Sequence, residues 1–501
     1  MAASRTNAKP GAYMTVYLAL TVTVIIALCL ALIEGCRYRG ISLETECVMD
    51  IGMDSILAEY HRELQKQYHL FAIDCSYGMA DASTEQTKNH LLDYMNRNFS
   101  LEDVFLGKLF YRDFFAIQAE EAKLTKAAFL TDAEGEVFRR VAVNAMEDTV
   151  GIGLIQQLTD WLQTIESKGL EQQDIAGQKQ RIDEEIREYD RKQTAEGNTL
   201  HVENPTAALE EKRNSGILGL VLEKGELSSR GIAQDTLWEV RAERGEINRG
   251  NLKLKETEEW EDFEEKIFFH EYLLKYLGRY GQEKQDSPLW YQTEYVIMGK
   301  DNDTENLKGV VNRIFIIREA ANTLYLTGSE ENYAIAEALG EVLAAAMMVP
   351  EIAGLLTAAL ILGWAFAESV YDVKSLLAGQ RIPLLKDDST WHYGLAAALQ
   401  GGLPGIAAEE EEQAQGMSYE DYLRIFLLLG EEKSITYRTM SMVEQDIRNT
   451  PGNRDFRLDA CIVEIGMNVR VRSRYGYSFE IERQKSYTGS LEAVENTDEG
   501  S

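Results

Sequence analysis

The informative charges in this chain are the ones that fall on apolar helical faces. Within 305–326 the stripe Leu307, Val311, Ile314, Ala321 and Tyr325 includes Arg318 among its members. A guanidinium taken out of water is costly unless a carboxylate meets it, so Arg318 requires an acidic partner. Glu294 in WYQTEYVIMG, and Glu368 or Asp372 in WAFAESVYDVK, are the candidates. Arg318, Glu294, Glu368 and Asp372 are expected to form a structural buried ion network. The competing role for the same residues is a proton-transfer or ligand site.

Other chemistry-bearing patterns are absent from the sequence. His61, His69, His90, His201, His270 and His392 include no pair within four residues, so no helical zinc pair exists. Neither GxSxG, GxxxxGK nor GxGxxG occurs. Cys29, Cys36, Cys47, Cys75 and Cys461 contain no CxxC; Cys75 and Cys461 could meet, but free buried thiols are the expectation. Asp301-Asn302-Asp303-Thr304-Glu305 imitates a calcium loop, yet Asn306 stands where glycine should and Asn312 where glutamate should. An acidic helix N-terminus accounts for that run. No catalytic, cofactor-binding or metal residue is expected, and no cofactor.

The elements that must position Arg318 follow from composition and period. Net charge is −32, which repels phosphate backbones and argues against nucleic-acid binding. Gly11 to Ile33 carries no charge and is long enough to span a bilayer, where it would contact lipid through 13–33. A cleaved signal peptide has a shorter apolar region and a small-residue cleavage site, whereas Glu34 follows this run directly. A retained single-pass anchor in the cell membrane is therefore expected. Basic residues flank the span almost evenly; the acidic body fits better outside the cell, so the bulk of the chain is placed as extracytoplasmic. A second apolar stretch, 342–367, is split by Pro350 and predicts buried core helices hinged there, with a second membrane contact as the rival.

The expected fold is mainly α: a transmembrane helix continuing into a stalk, a large helical bundle and a small antiparallel sheet with a C-terminal hairpin, α+β overall. The divisions are a basic head 1–12, the transmembrane helix 13–33, a stalk and strand region 34–132, and a helical arm and linker 133–205. The bundle 206–450, the hairpin 451–487 and a disordered tail 488–501 complete the chain. Within these, 70–78 reads as a short strand or buried turn, 86–99 as a helix and 104–130 as one or two strands. Thr131-Asp132 should open a helix, and the polar arm 171–192 should pair back on the seam Ile155, Leu158, Leu162, Ile165. Helical period marks 257–280, 303–327, 331–348, 351–378, 418–429 and 432–449, and Ser418 to Asp421 has capping-box spacing. From Cys461 to Val471 apolar and polar residues alternate, and 477–487 should pair with that strand.

Several blocks carry a family resemblance: MTVYLALTVTVIIALCLALIEGCR at 14–37, AEYHRELQKQYHLFAIDCSYG at 58–78 and TEYVIMGKDNDTENLKGVVNRIFIIREAANTLYL at 293–326. WAFAESVYDVKSLLAGQRIPLLK at 364–386 and MSYEDYLRIFLLL at 417–429 complete them. The chain resembles an uncharacterised bacterial family of single-pass membrane proteins with a domain of unknown function, associated with tight-adherence (Tad) pilus components. A weaker similarity reaches the TadE/TadG-like pseudopilins, with Gly11-Ala12 ahead of the apolar helix and Tyr17 where their glutamate would be. The retained anchor, the lack of catalytic constellations and this resemblance together lead to the expectation of a non-enzymatic, membrane-anchored, extracytoplasmic protein acting by contact with other membrane or pilus-assembly proteins. The alternative is a sensor or small-ligand-binding module with a polar site around Arg318, Glu294 and Glu368.

Overall fold

Nothing interrupts the helical backbone between the apolar run and the amphipathic segment after it. They form one helix, α1 (Pro10–Leu57), 48 residues long. At 1.5 Å per residue it extends about 70 Å, more than twice the roughly 30 Å hydrocarbon layer. Its first half is bare, with Leu18 at 64 % and Leu32 at 62 % exposure, whereas Ile41, Met49 and Ile56 are fully buried. The computed structural model describes residues 10–79, 82–100, 115–146, 152–195, 201–222, 227–247, 259–400 and 416–488.

After α1 come α2 (Arg62–Tyr68), β1 (Ile73–Asp74), α3 (Thr84–Phe99) and β2 (Ile117–Phe129). The short strand or buried turn expected over 70–78 is realised as both, the two-residue β1 followed by a turn over 75–78. Most of the expected strand region before β2, residues 104–114, lies outside the described residues.

The helical body follows. It contains α4 (Glu136–Asn144), α5 (Ile152–Ser167), α6 (Ile175–Ala195), α7 (Ala207–Asn214), α8 (Ile217–Val221) and α9 (Trp238–Glu243). It continues with α10 (Glu259–Tyr276), α11 (Gln292–Met298), α12 (Asp303–Gly328), α13 (Glu330–Ala346) and α14 (Ala353–Leu377). Last are α15 (Leu395–Leu399), α16 (Tyr419–Leu428) and α17 (Glu432–Arg448), then β3 (Cys461–Ser473) and β4 (Ser478–Ser486). The six helices expected from period are α10, α12, α13, α14, α16 and α17, and Ser418 with Asp421 forms the capping box. Helices α7, α8, α9, α11 and α15 were not expected from period; at eight residues or fewer, none completes enough turns to show one.

Two expectations need correction. Thr131-Asp132 does not open an α-helix, because Ala133 and Glu134 turn left-handed at φ 51° and 57°. The helix starts only after Gly135, at φ 89°, where a Cβ would lie 2.8 Å from Thr436. The arm α6 packs on the α13–α14 hairpin rather than along the α5 seam: Ile186, with Ile182 and Tyr189, meets Ala344, Ile352, Leu356 and Ala359. Burying that stripe on the more apolar neighbour removes more surface from water.

Pro350 opens a 3₁₀ turn (Pro350–Ile352) between α13 and α14. Pro350–Leu377 has the length and apolarity to cross a membrane, but 78 % of its apolar window is buried inside the fold. It is the central core helix, apolar on nearly every side.

The sheet is antiparallel, with β3 between β2 on one side and β1 and β4 on the other. A bulge interrupts the β2 ladder between Ala128 and Phe129. It changes which face of β3 is buried. Cys461 and Val463 pack into the helical body, whereas Ile465, Met467, Val469 and Val471 pack against α1 and α3. One strand therefore belongs to both cores, which the uninterrupted alternation from Cys461 to Val471 does not suggest. On the open face Arg470 lies 3.0 Å from both Glu121 and Glu480, the facing charge rows expected of the hairpin.

The acidic stretch 407–416, the tail 488–501 and part of the linker 193–206 lie almost wholly outside the described residues.

Candidate functional site

The centre of the body holds four charges with no solvent exposure on any side chain. Arg318 comes from the middle of α12. Glu368 and Asp372 lie one turn apart on α14 and share a face. Lys386 arrives on the extended segment after α14, which Ile382 ties to Met417 by a β-bridge.

Arg318 Nε and Nη2 donate to Asp372 Oδ2 at 2.9 and 2.8 Å. Nη1 donates to the Pro383 and Leu384 carbonyls at 2.7 and 2.9 Å, and Nη2 also reaches Asn322 at 3.5 Å. All five guanidinium hydrogens thus have an acceptor. Lys386 Nζ stands 2.6 Å from Asp372 Oδ1 and donates to Glu368. The Glu368 oxygens further accept the His392 and Tyr393 amides at 3.1 and 2.8 Å. Two cations face two anions, so the centre is neutral. Burial pushes the Asp372 carboxyl up, but Arg318 and Lys386 pull harder and hold it below its ordinary range.

Glu294 is elsewhere. It is fully buried and accepts the Tyr280 amide at 2.9 Å and the Tyr419 hydroxyl at 2.7 Å, both on Oε1. Its Oε2 has no hydrogen-bond partner among the described residues. Burial outweighs these donors and pushes its pKa up to about 7. Of the three acids proposed for Arg318, Asp372 bonds it directly, Glu368 reaches it through Lys386 and Asp372, and Glu294 is occupied by two tyrosines.

A second buried centre has no counterpart in the sequence expectations. Asp446 of α17 accepts Tyr68 at 2.5 Å, Ser287 at 2.6 Å and Gln292 at 2.9 Å. Lys284 lies 2.9 Å from both Asp446 Oδ2 and the Tyr68 hydroxyl, and 4.2 Å above the Tyr68 ring. This centre opens on a cavity of about 890 Å³ lined by Lys66, Arg230, Lys284, Asp446 and Asn449. The available signal was Asp446 one turn from Met442 and Val443 and beside Ile447, the same pattern that marked Arg318.

Residues 195–473 match a family of unknown function, DUF5702. The chain belongs to that family. Among curated proteins and solved structures, no match was found.

The DUF5702 segment contains the Arg318 centre but supplies only Lys284, Ser287, Gln292 and Asp446 to the second one; Tyr68 comes from outside it. It also ends at the last residue of β3, whose ladder partners β1, β2 and β4 all lie beyond it. Among the described residues, no group of three or more His, Cys, Asp or Glu is placed to hold a metal ion. Cys75 and Cys461 are free and belong to different cores. Burial pushes the Cys75 thiol up to about 12, so it stays protonated.

Proposed function

We propose that this DUF5702 protein is a non-enzymatic, membrane-anchored, extracytoplasmic protein that works by protein–protein contact. We place it as an accessory of a Tad-type pilus or cell-surface assembly, pseudopilin-like in architecture. The observation that carries the reading is the continuity of α1: one helix supplies both the apolar span and, through Ile41, Met49, Met53 and Ile56, the core of the sheet region. A span joined to its body by a flexible linker would leave the body free to swivel. A helix shared by both parts instead fixes the body relative to the bilayer, which suits a docking platform. The pilus context rests on the sequence blocks that resemble that family.

The test is co-purification of the tagged full chain from detergent-solubilised membranes. Pilus or secretion components should come with it, and a deletion strain should lose piliation. Pull-downs without such proteins, together with normal piliation, contradict the reading.

A second reading, a small-ligand-binding module, is favoured by one observation. The cavity beside Lys284 and Asp446 is polar and open to solvent, whereas the Arg318 centre is closed. A ligand there would raise the melting temperature of the unsubstituted chain and leave that of Lys284→Met unchanged.

A further inference from the structure

We propose that the tip of the β3–β4 hairpin, residues 472–478, is a second membrane contact that lies among lipid headgroups and binds anionic ones. The proposal rests on the anchored reading above. Arg472, Arg474 and Tyr475 make the contact, beside Arg37 and Arg39 of α1.

The level of the tip follows from α1. The apolar run ends at Ile33. The next six residues, Glu34 to Arg39, rise about 9 Å, which takes them through a polar layer of roughly 5–7 Å on each side of the hydrocarbon. The hairpin tip is held to these same residues. Tyr477 donates its hydroxyl to Glu34 at 2.7 Å. Tyr38 packs against Tyr477 and Phe479 with ring centroids 5.7 and 5.2 Å apart. Arg37 lies 4.6 Å above the Tyr475 ring. The tip is therefore fixed at the height where the helix leaves the lipid.

Its chemistry suits that height. Tyrosine is enriched where hydrocarbon meets headgroups, and arginine places its stem in the apolar layer and its charge on phosphate. Tyr475 is 41 % exposed, the Arg472 side chain is 65 % exposed, and Arg39 and Arg474 are exposed as well. Two acids lie close by: Glu34 is taken up by Arg37 at 2.9 Å and by Tyr477, and Glu120 stands 3.8 Å from Arg472. In a chain of net charge −32, four arginines against Glu34 and Glu120 on two distant segments run counter to the overall sign. A protein partner would be equally served by charge, but not by a position set by the end of the apolar run. That position selects the bilayer.

The test uses the full chain in nanodiscs made of equal parts phosphatidylcholine and phosphatidylglycerol, with and without bromine on the acyl chains. Tyr475→Trp and Val24→Trp report the tip and the span, and the unsubstituted chain supplies the background of native tryptophans. Val24→Trp emission should be quenched by deep bromines, and Tyr475→Trp by bromines next to the headgroup. Since α1 holds the tip at this height, adding Arg472→Gln and Arg474→Gln should leave that quenching in place when the bromines are on phosphatidylcholine and weaken it when they are on phosphatidylglycerol, whose preference for the tip falls about 30-fold. Quenching of Val24→Trp without Tyr475→Trp overturns the tip and leaves the anchor standing. If neither is quenched, the anchored reading falls too. Equal quenching of Tyr475→Trp by brominated phosphatidylcholine and by brominated phosphatidylglycerol, unchanged by the two glutamines, overturns the preference for anionic headgroups.

Discussion

The Arg318 and Asp446 centres are built from similar parts and differ in their access to water. Around Arg318 two cations and two carboxylates sit at zero side-chain exposure, and every guanidinium hydrogen is assigned within the fold. Around Asp446 one carboxylate collects Tyr68, Ser287, Gln292 and Lys284, and Lys284 keeps 24 % of its side chain exposed toward the cavity. Burial of charge does not by itself indicate a site. What separates the two is whether a donor is left for something outside the protein, and only the second centre has one facing solvent. A closed network of this kind specifies how α12, α14 and the 381–386 segment fit together, and any one member removed leaves its partner stranded.

The comparison breaks most readily at Arg318. Arg318→Met leaves Asp372 buried with Lys386 as its one remaining cation and Asn322 as a neutral donor, and the cost of breaking one side of a buried pair is about 3–5 kcal/mol. The melting temperature of the full chain in detergent should fall sharply. A loss no larger than that of a surface arginine would mean the centre is hydrated and not closed.

Glu294 gives a pH-dependent contrast of opposite sign to Asp372. Its native pKa of about 7 lies above its ordinary 4.5. Below about 4.5 both folded and unfolded chains hold the proton, so nothing is lost. Between about 4.5 and 7 the unfolded chain ionises first, and stability falls with rising pH by as much as roughly 3 kcal/mol. Asp372, held low, contributes stability that is lost only as pH falls through its native pKa. Urea unfolding at pH 5 and pH 7.5 should therefore show Glu294→Gln gaining on the unsubstituted chain at the higher pH. A constant difference would mean that Glu294 is ionised throughout.

At the open centre the expected effect is smaller. Asp446→Asn keeps the shape and an acceptor but loses the charge facing Lys284, worth about 1.5–3 kcal/mol for hydrogen bonds to a charged group. Smallest is Arg313→Met. Arg313 pairs with Glu171 at 2.5 Å and lies 4.1 Å over the Phe426 ring, with 27 % of its side chain exposed. A part-exposed pair and one cation–π contact together amount to about 1 kcal/mol. Thermal melts of both variants beside Arg318→Met should give that order, and an inverted order would place the buried face of α12 on the wrong side.

How much of this was legible in the sequence depends on the kind of signal. Arg318 was, because its neighbours at helical spacing are apolar, and Glu368 and Asp372 were, because they interrupt an apolar helix one turn apart. Lys386 was not: it lies in RIPLLKDD, an extended segment with no period to mark it as inward-facing. Glu294 was assigned to the wrong partner because period gives the buried face of a helix, not the neighbour that face meets. The bulge near Val463 left no trace, since the alternation continues through it while the buried side changes. The long helices and the C-terminal hairpin were legible because their periods run for many residues.

A double-mutant cycle on Arg318 tests most directly whether its centre is closed on itself. Arg318→Met is combined with Asp372→Asn in one cycle and with Glu294→Gln in another, each followed by unfolding of the full chain. The closed centre predicts that Asp372→Asn recovers part of the Arg318→Met loss, with a coupling of about 1–3 kcal/mol, while the Glu294 cycle is additive to within about 0.5 kcal/mol. Additivity with Asp372, or strong coupling with Glu294, would contradict it.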